Sequence, residues 1–151
     1  MTQDTELTYD ASVVGVEVAT GKFEVTKLQI LDFCDAIGDT NPLFTDEEAA
    51  KAGPYGGIIA PPGFYTSIRS GQGLDPKLVF GNTTFYAGHH SEFLAPIRPG
   101  DTITARTKVH EIYEKTGRTG RMVFLVRRTT YRNQNGEDVA ISDQSMVYRK
   151  V

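Results

Sequence analysis

From residue 82 onward the sequence is β-forming almost without a break: β-branched and aromatic residues dominate four stretches, at about 82–95, 101–115, 119–132 and 138–150. Turn signals separate them at Arg98-Pro99-Gly100-Asp101, at Gly117-Arg118-Thr119-Gly120 and at Asn133-Gln134-Asn135-Gly136. Each stretch exceeds the mean strand of about 5–6 residues, so the sheet they form must curve or wrap. Before residue 78 the pattern differs, with Pro and Gly clustered between short helix-like pieces. An early strand at about 13–24 completes the set. The expectation is α+β: a five-stranded antiparallel sheet wrapped around one apolar helix.

The helical pieces carry their own punctuation. Thr26 is placed to cap a helix over 27–37, with Gly38 as its C-terminal stop and either Leu28, Leu31 and Cys34 or Ile30, Cys34 and Ile37 on the inner side. Thr45-Asp46-Glu47-Glu48 has the spacing of a capping box and predicts a short helix over 46–52, ended by Gly53-Pro54. The run Ile58 to Ile68 contains Pro61-Pro62 where proline is tolerated, at a first helical turn, and predicts a third helix, apolar and central.

Composition removes several function classes. A chain of 151 residues suits a single domain spanning 1–151. A net charge of −3 and a pI near 5.6 argue against general nucleic-acid binding, which rests on neutralising phosphates. No stretch approaches the ~20 apolar residues of a membrane span, and Met1-Thr2-Gln3-Asp4-Thr5-Glu6 is acidic where a secretory signal would be basic and then apolar. The expected compartment is the cytoplasm. The single cysteine, Cys34, has no partner for an internal disulfide and falls on an apolar periodicity, as a small core residue would. No His/Cys/Asp/Glu grouping has metal-ligand spacing, so no metal is expected. Gly53-Pro54-Tyr55-Gly56-Gly57 lacks the Gly-Lys-Ser/Thr of a phosphate loop.

The segment Ile37-Gly38-Asp39-Thr40-Asn41-Pro42-Leu43-Phe44 leaves a helix through Gly38 and enters an extended Asn-Pro step, which fixes Asp39 on a loop. On composition alone, Asp39 and Asn41 are read as makers of Asx turns. Gly38-Asp39-Thr40-Asn41-Pro42 followed by a hydrophobic residue nevertheless resembles the signature of the MaoC-like (R)-specific enoyl-CoA hydratases and dehydratases, which have the hot-dog fold. The block from Ser91 to Asp101 is similar to that family's strand and tight turn after the central helix. More narrowly, the chain resembles the branch of FAS1-like, or N-terminal MaoC, dehydratase domains from about residue 14 to 149.

In catalytic members of that family the motif runs Asp-x-Asn-Pro-x-His, and the two side chains activate a water that adds across the double bond of an enoyl thioester, or assist its removal. Resemblance makes Asp39 the family aspartate. Phe44 stands where the histidine should be and cannot move a proton at any pH. A second departure concerns the thioester carbonyl, which the family polarises with backbone N–H groups near the start of the central helix. The matching stretch is Ala60-Pro61-Pro62-Gly63, where the two prolines have no N–H to give and Gly63 can still donate. Two weakenings at one site suggest a supporting half of the fold.

His89 and His90 are the candidates to replace the missing histidine. They are adjacent on the 82–95 strand, so one should face inward. A structural histidine is the alternative for each, and His110 is read as structural. Glu92 is expected to be half-buried and hydrogen-bonded near the turn at 98–101. Arg118, Arg121, Arg127 and Arg128 surround one hairpin and could meet coenzyme A phosphates or form a solvated strand face.

Hot-dog domains pair so that two sheets join and both helices pack together, and a monomer would leave a sheet edge exposed. The resemblance therefore implies a homodimer, or a heteromer with a second MaoC-like chain that carries the intact Asp/His pair, the latter preferred. In that reading the ligand is an acyl thioester of coenzyme A or acyl carrier protein, with no further cofactor and a place in fatty acid or lipid metabolism. Asn41, Phe44, Ile58, Ile59, Gly63, Phe64 and Tyr65 are the expected substrate-binding residues. The rivals are a self-sufficient dehydratase using Asp39 with a displaced histidine, an acyl-CoA-binding module without chemistry, and a hot-dog thioesterase.

Overall fold

Thr26 starts the longest helix by the reciprocal bonding its sequence context allows. Its hydroxyl accepts from the Gln29 amide at 3.2 Å, while the Gln29 side chain accepts from the Thr26 amide at 2.9 Å. The helix, α1, runs Lys27–Ile37 and stops at Gly38, whose φ of 71° is a left-handed conformation that glycine adopts without strain. Of the two inner faces compatible with the sequence, the one through Ile30 and Cys34 is buried, whereas Leu28 and Ile37 remain exposed. These coordinates come from a computed structural model that describes residues 6–151. Most of the acidic opening segment, Met1–Thr5, lies outside the described residues.

Two corrections to the sequence reading follow α1. Asn41-Pro42 does not simply extend the loop: Asn41 caps a single helical turn, α2, over Pro42–Thr45, with proline at a position where its missing N–H is harmless. The next helix, α3, spans Glu47–Ala52 and is capped by Asp46, not Thr45. Thr45 ends α2 and its hydroxyl donates to the Asn41 carbonyl at 3.0 Å, so Asp46 is the side chain left to accept from the Ala49 amide, at 3.1 Å.

The expected third helix is shorter and tighter than its apolar run suggested. Only Pro62–Ser67 is helical, as a 3₁₀ segment. Pro61 and Pro62 cannot donate backbone hydrogen bonds, and Gly71 and Gly73 follow too soon for a long helix to propagate. The segment is nevertheless central, because it buries Phe64 and Tyr65. The Phe64 ring meets the edges of Phe23 and Phe33 at centroid distances of 6.4 and 5.7 Å.

Five antiparallel strands form one sheet: β1 Val18–Glu24, β2 Thr83–Phe93, β3 Thr102–Gly117, β4 Gly120–Arg132 and β5 Asp138–Arg149, in the order β1-β3-β4-β5-β2. The late strands match their sequence boundaries closely. β1 starts at Val18 instead of residue 13, because Asp10 caps a 3₁₀ turn over Ala11–Val13 and Val14 makes only an isolated bridge to Val109. A close approach pins the chain after the 3₁₀ segment to β1: a side chain at Gly21 would place its Cβ 2.4 Å from the Arg69 carbonyl oxygen. Beside it the Gly71 amide donates to the Thr20 carbonyl at 2.9 Å. β2 pairs only with β5, so its other edge is open, and it exposes Phe85, Tyr86 and Phe93. No helix among the described residues is long and apolar enough to cross a membrane.

Candidate functional site

Asp39 sits one residue beyond the glycine stop of α1, and its amide donates to the Cys34 carbonyl at 2.9 Å. Its carboxylate accepts from the Asn41 amide at 2.9 Å, and the Asn41 side chain accepts from the Leu43 amide at 3.0 Å. The loop is thus two consecutive Asx turns that hold Asp39 half-buried in a shallow depression with Leu31, Cys34 and Thr45. Burial pushes the Cys34 thiol above its ordinary pKa, and the nearby Asp39 charge adds to the effect, so Cys34 stays a neutral packing residue.

The carboxylate does not line the larger cavity next to it. That cavity, about 410 Å³, lies between Leu43, Phe44 and the segment Ile59 to Pro62 on one side and Phe93 to Ile97, Val139 and Ala140 on the other, with Tyr55 at its wall. Its walls are tied together by Ile59 N–H donating to the Leu43 carbonyl at 3.2 Å and Ala60 N–H to the Ile97 carbonyl at 2.7 Å. Tyr55 is the one lining residue with a polar side chain, and no acid or base is among them. Such a cavity can hold an apolar chain and exclude water. It has no group of its own to transfer a proton near neutral pH.

Of the expected substrate-binding residues, Phe44 and Ile59 line this cavity. Ile58 and Phe64 are buried in the core, Gly63 packs against the Phe33 ring, Asn41 caps α2, and Tyr65 lines a different cavity. Ala60 N–H is taken by Ile97 and the two prolines have none, which leaves Gly63 as the first further donor in that stretch. The sequence reading missed Leu43, Tyr55, Val139 and Ala140, and it treated Phe93-Leu94-Ala95-Pro96-Ile97 only as a strand end, although an apolar run closing a half-exposed strand was a usable signal.

His89 and His90 do separate to opposite faces. β2 carries a bulge between Tyr86 and Gly88, which turns Tyr86 and His89 to the same side, and the Tyr86 hydroxyl lies 2.8 Å from His89 Nδ1. His89 lines a second cavity, of about 360 Å³, with Tyr65. His90, opposite Asp143, is 70% exposed and its Nε2 is 3.5 Å from Glu92 Oε1. Asp39 and His89 therefore line separate cavities, and His90 lines neither. Glu92 is exposed beside His90, contrary to expectation; the buried carboxylate of the 98–101 turn is Asp101, which accepts from the Arg98 amide and the Gln134 side chain, both at 2.9 Å. His110 is half-buried on β3.

Three of the four hairpin arginines have protein partners. Arg121 pairs with both oxygens of Glu114, Arg127 donates to the Gln72 and Leu74 carbonyls, and Arg128 makes a bidentate pair with Asp143 at 2.7 and 2.8 Å. The Arg128 hydrogen bonds hold the Asp143 carboxyl below its ordinary pKa, with the attraction of the Arg128 charge as a smaller contribution. A depressed carboxylate pKa stabilises the fold above the unfolded-state value, and that stabilisation is lost as the pH falls through the lower folded-state value. We expect Asp143→Asn to destabilise by about 1–3 kcal/mol at pH 7, with the gap to the native protein closing at pH 3. Denaturant titrations at both pH values check this, and a gap that stays constant contradicts it. Among the described residues, no group of three or more His, Cys, Asp or Glu side chains could hold a metal ion.

A family model described as the FAS1-like dehydratase domain region matches residues 12–142. The chain is 33% identical over 146 residues to a UPF0336 protein of Streptomyces coelicolor, covering 93% of this chain and 95% of that one. It is 31% identical over 142 residues to a probable enoyl-CoA hydratase alpha subunit of Thermomonospora curvata, covering 82% of this chain and 44% of that protein. Among solved structures, the MaoC-like dehydratase of Rhodospirillum rubrum superposes with a TM-score of 0.71 at 25% identity, covering 91% and 93% of the two chains. This similarity gives the sheet and its central 3₁₀ segment a hot-dog fold. The same fold occurs in a heteromeric assembly, the 3R-hydroxyacyl-ACP dehydratase complex HadBC of Mycobacterium tuberculosis, with a TM-score of 0.67 at 22% identity over 92% and 99% of the chains.

Proposed function

The chain belongs to the family of FAS1-like dehydratase domains, and from that premise we propose that it is the acyl-holding subunit of a hydro-lyase acting on enoyl or 3-hydroxyacyl thioesters. The acid–base pair comes from a second MaoC-like chain. The observation that carries this reading is Phe44: a buried phenyl ring forms part of the wall of an apolar cavity at the position where Asp-x-Asn-Pro-x-His would bring an imidazole. Hydration adds water oxygen to the β-carbon and a proton to the α-carbon, and both transfers need a positioned acid or base. The cavity has neither. It supplies what remains of the task, namely binding of the apolar acyl part, its orientation and the exclusion of bulk water.

The open outer edge of β2, with Phe85, Tyr86 and Phe93 exposed along it, is the surface on which a second hot-dog chain would add its own edge. A relative named as an alpha subunit and a fold neighbour from a two-component dehydratase support a heteromer over a homodimer. The carrier is coenzyme A or acyl carrier protein. Calorimetric titration of the purified chain tests the acyl-holding role. Octanoyl-CoA should bind at least about tenfold more tightly than free coenzyme A, equivalent to ~1.4 kcal/mol from burying the chain in the cavity. Equal affinities for the two would remove the basis of the reading.

A further inference from the structure

The cavity that contains His89 has no part in the function proposed above, and its lining is chemically unlike that of the apolar one. On the inner face of the β2/β5 ladder, Phe93 and Ala140 are paired and both line the apolar cavity; the next pair on that face is Ser91 and Ser142. Tyr65 stands at this step, its ring 5.8 Å from that of Phe93 and its hydroxyl hydrogen-bonded to Ser91 at 2.5 Å. Beyond it the second cavity, about 360 Å³, is lined by Arg69, His89, Ser142, Gln144 and the phenols of Tyr86 and Tyr131 among others, and by no carboxylate. Asp143 and Glu92, the acidic residues nearest in these strands, alternate to the opposite face.

From this arrangement we infer that the cavity is an anion-binding site for a carboxylate or phosphate group. Every polar residue in its lining can donate a hydrogen bond, and Arg69 adds a permanent positive charge with no ion-pair partner among the described residues. Ser142 is only 6% exposed as a residue and lines the cavity, so what surface its side chain keeps is turned to that space and its hydroxyl is a further donor. The Tyr86 hydroxyl and Nδ1 of His89 lie 2.8 Å apart; where the hydroxyl donates, the ring proton is on Nε2, a further donor, and where Nδ1 donates, the Tyr86 hydroxyl keeps its own proton to offer. Burial raises the Tyr131 pKa, which keeps that phenol protonated. The inference stands apart from the hydratase reading, because it concerns what this chain binds with no partner present.

The protein has three histidines, so their imidazole NMR signals can be followed individually. Sodium phosphate and sodium octanoate are the probes, each titrated at constant ionic strength against sodium chloride. A saturable shift of the His89 signal is expected, without a matching one at His90 or His110, and Arg69→Met should weaken it at least tenfold while leaving the His110 signal in place. Response to phosphate and octanoate alike identifies a small-anion site. Response to octanoate at much lower concentration identifies a site for the anionic end of an apolar body reaching past Tyr65. Absence of a saturable His89 shift, equal shifts at His90, the same effect from chloride, or an unchanged response in Arg69→Met overturns the inference.

Discussion

Replacing Phe64 with alanine is expected to destabilise the protein by about 3–5 kcal/mol, a large part of the roughly 5–15 kcal/mol that holds a domain of ordinary stability together. The side chain is 0% exposed and packs edge-on against Phe23 from β1 and Phe33 from α1. It therefore joins three elements at once: the sheet, the capped helix and the 3₁₀ segment. That segment has little hold of its own, since it is six residues long and begins at two consecutive prolines. Removing the ring leaves a void that the sheet and α1 cannot both close on. Phe64→Leu should cost clearly less, because most of the volume remains. Urea denaturation of the two variants checks the argument, and a loss below about 1 kcal/mol for alanine would show that the 3₁₀ segment is held by something else.

The second large effect concerns binding. Ala95 is half-buried at the wall of the apolar cavity, with its amide held by the Val139 carbonyl at 3.4 Å. A tryptophan there projects an indole into a space of about 410 Å³, a size that an acyl chain and an indole cannot share comfortably. We expect Ala95→Trp to weaken octanoyl-CoA binding by about tenfold or more, ~1.4 kcal/mol, while free coenzyme A binds as before and the urea midpoint moves little. Tight octanoyl-CoA binding by a folded Ala95→Trp protein would place the acyl chain elsewhere.

The parts of this structure legible in the sequence are those governed by local chemistry. Thr26, Gln29 and Gly38 delimit α1 because cap and stop act within a few residues, and the late strands announce themselves through length and turn residues. What was not legible depends on competition or on distance. Thr45 and Asp46 are both good caps, and only the α2 turn, which uses the Thr45 hydroxyl, decides between them. Strict alternation says that one of His89 and His90 faces inward, but the bulge before Gly88 sets which partners join it, and placed Tyr86 beside His89. The apolar cavity is assembled from segments around residues 43, 60, 95 and 140, so its lining could be read only once the strand order was known. Phe44 is the exception. Its meaning came from the motif that precedes it, and the fold adds that the ring forms part of an apolar wall, with Asp39 outside the cavity.

The central claim is that the fold of a hydratase is present here with its proton-transfer pair supplied from outside. The most direct measurement is the rate of crotonyl-CoA hydration by the purified chain alone and after co-expression with a MaoC-like chain that carries Asp-x-Asn-Pro-x-His. The account predicts no turnover above background for the chain alone. It predicts turnover with the partner that disappears when the partner's histidine is replaced and survives Asp39→Asn, His89→Ala and His90→Ala in this chain. Turnover by the chain alone that is lost in Asp39→Asn or in His89→Ala would contradict it.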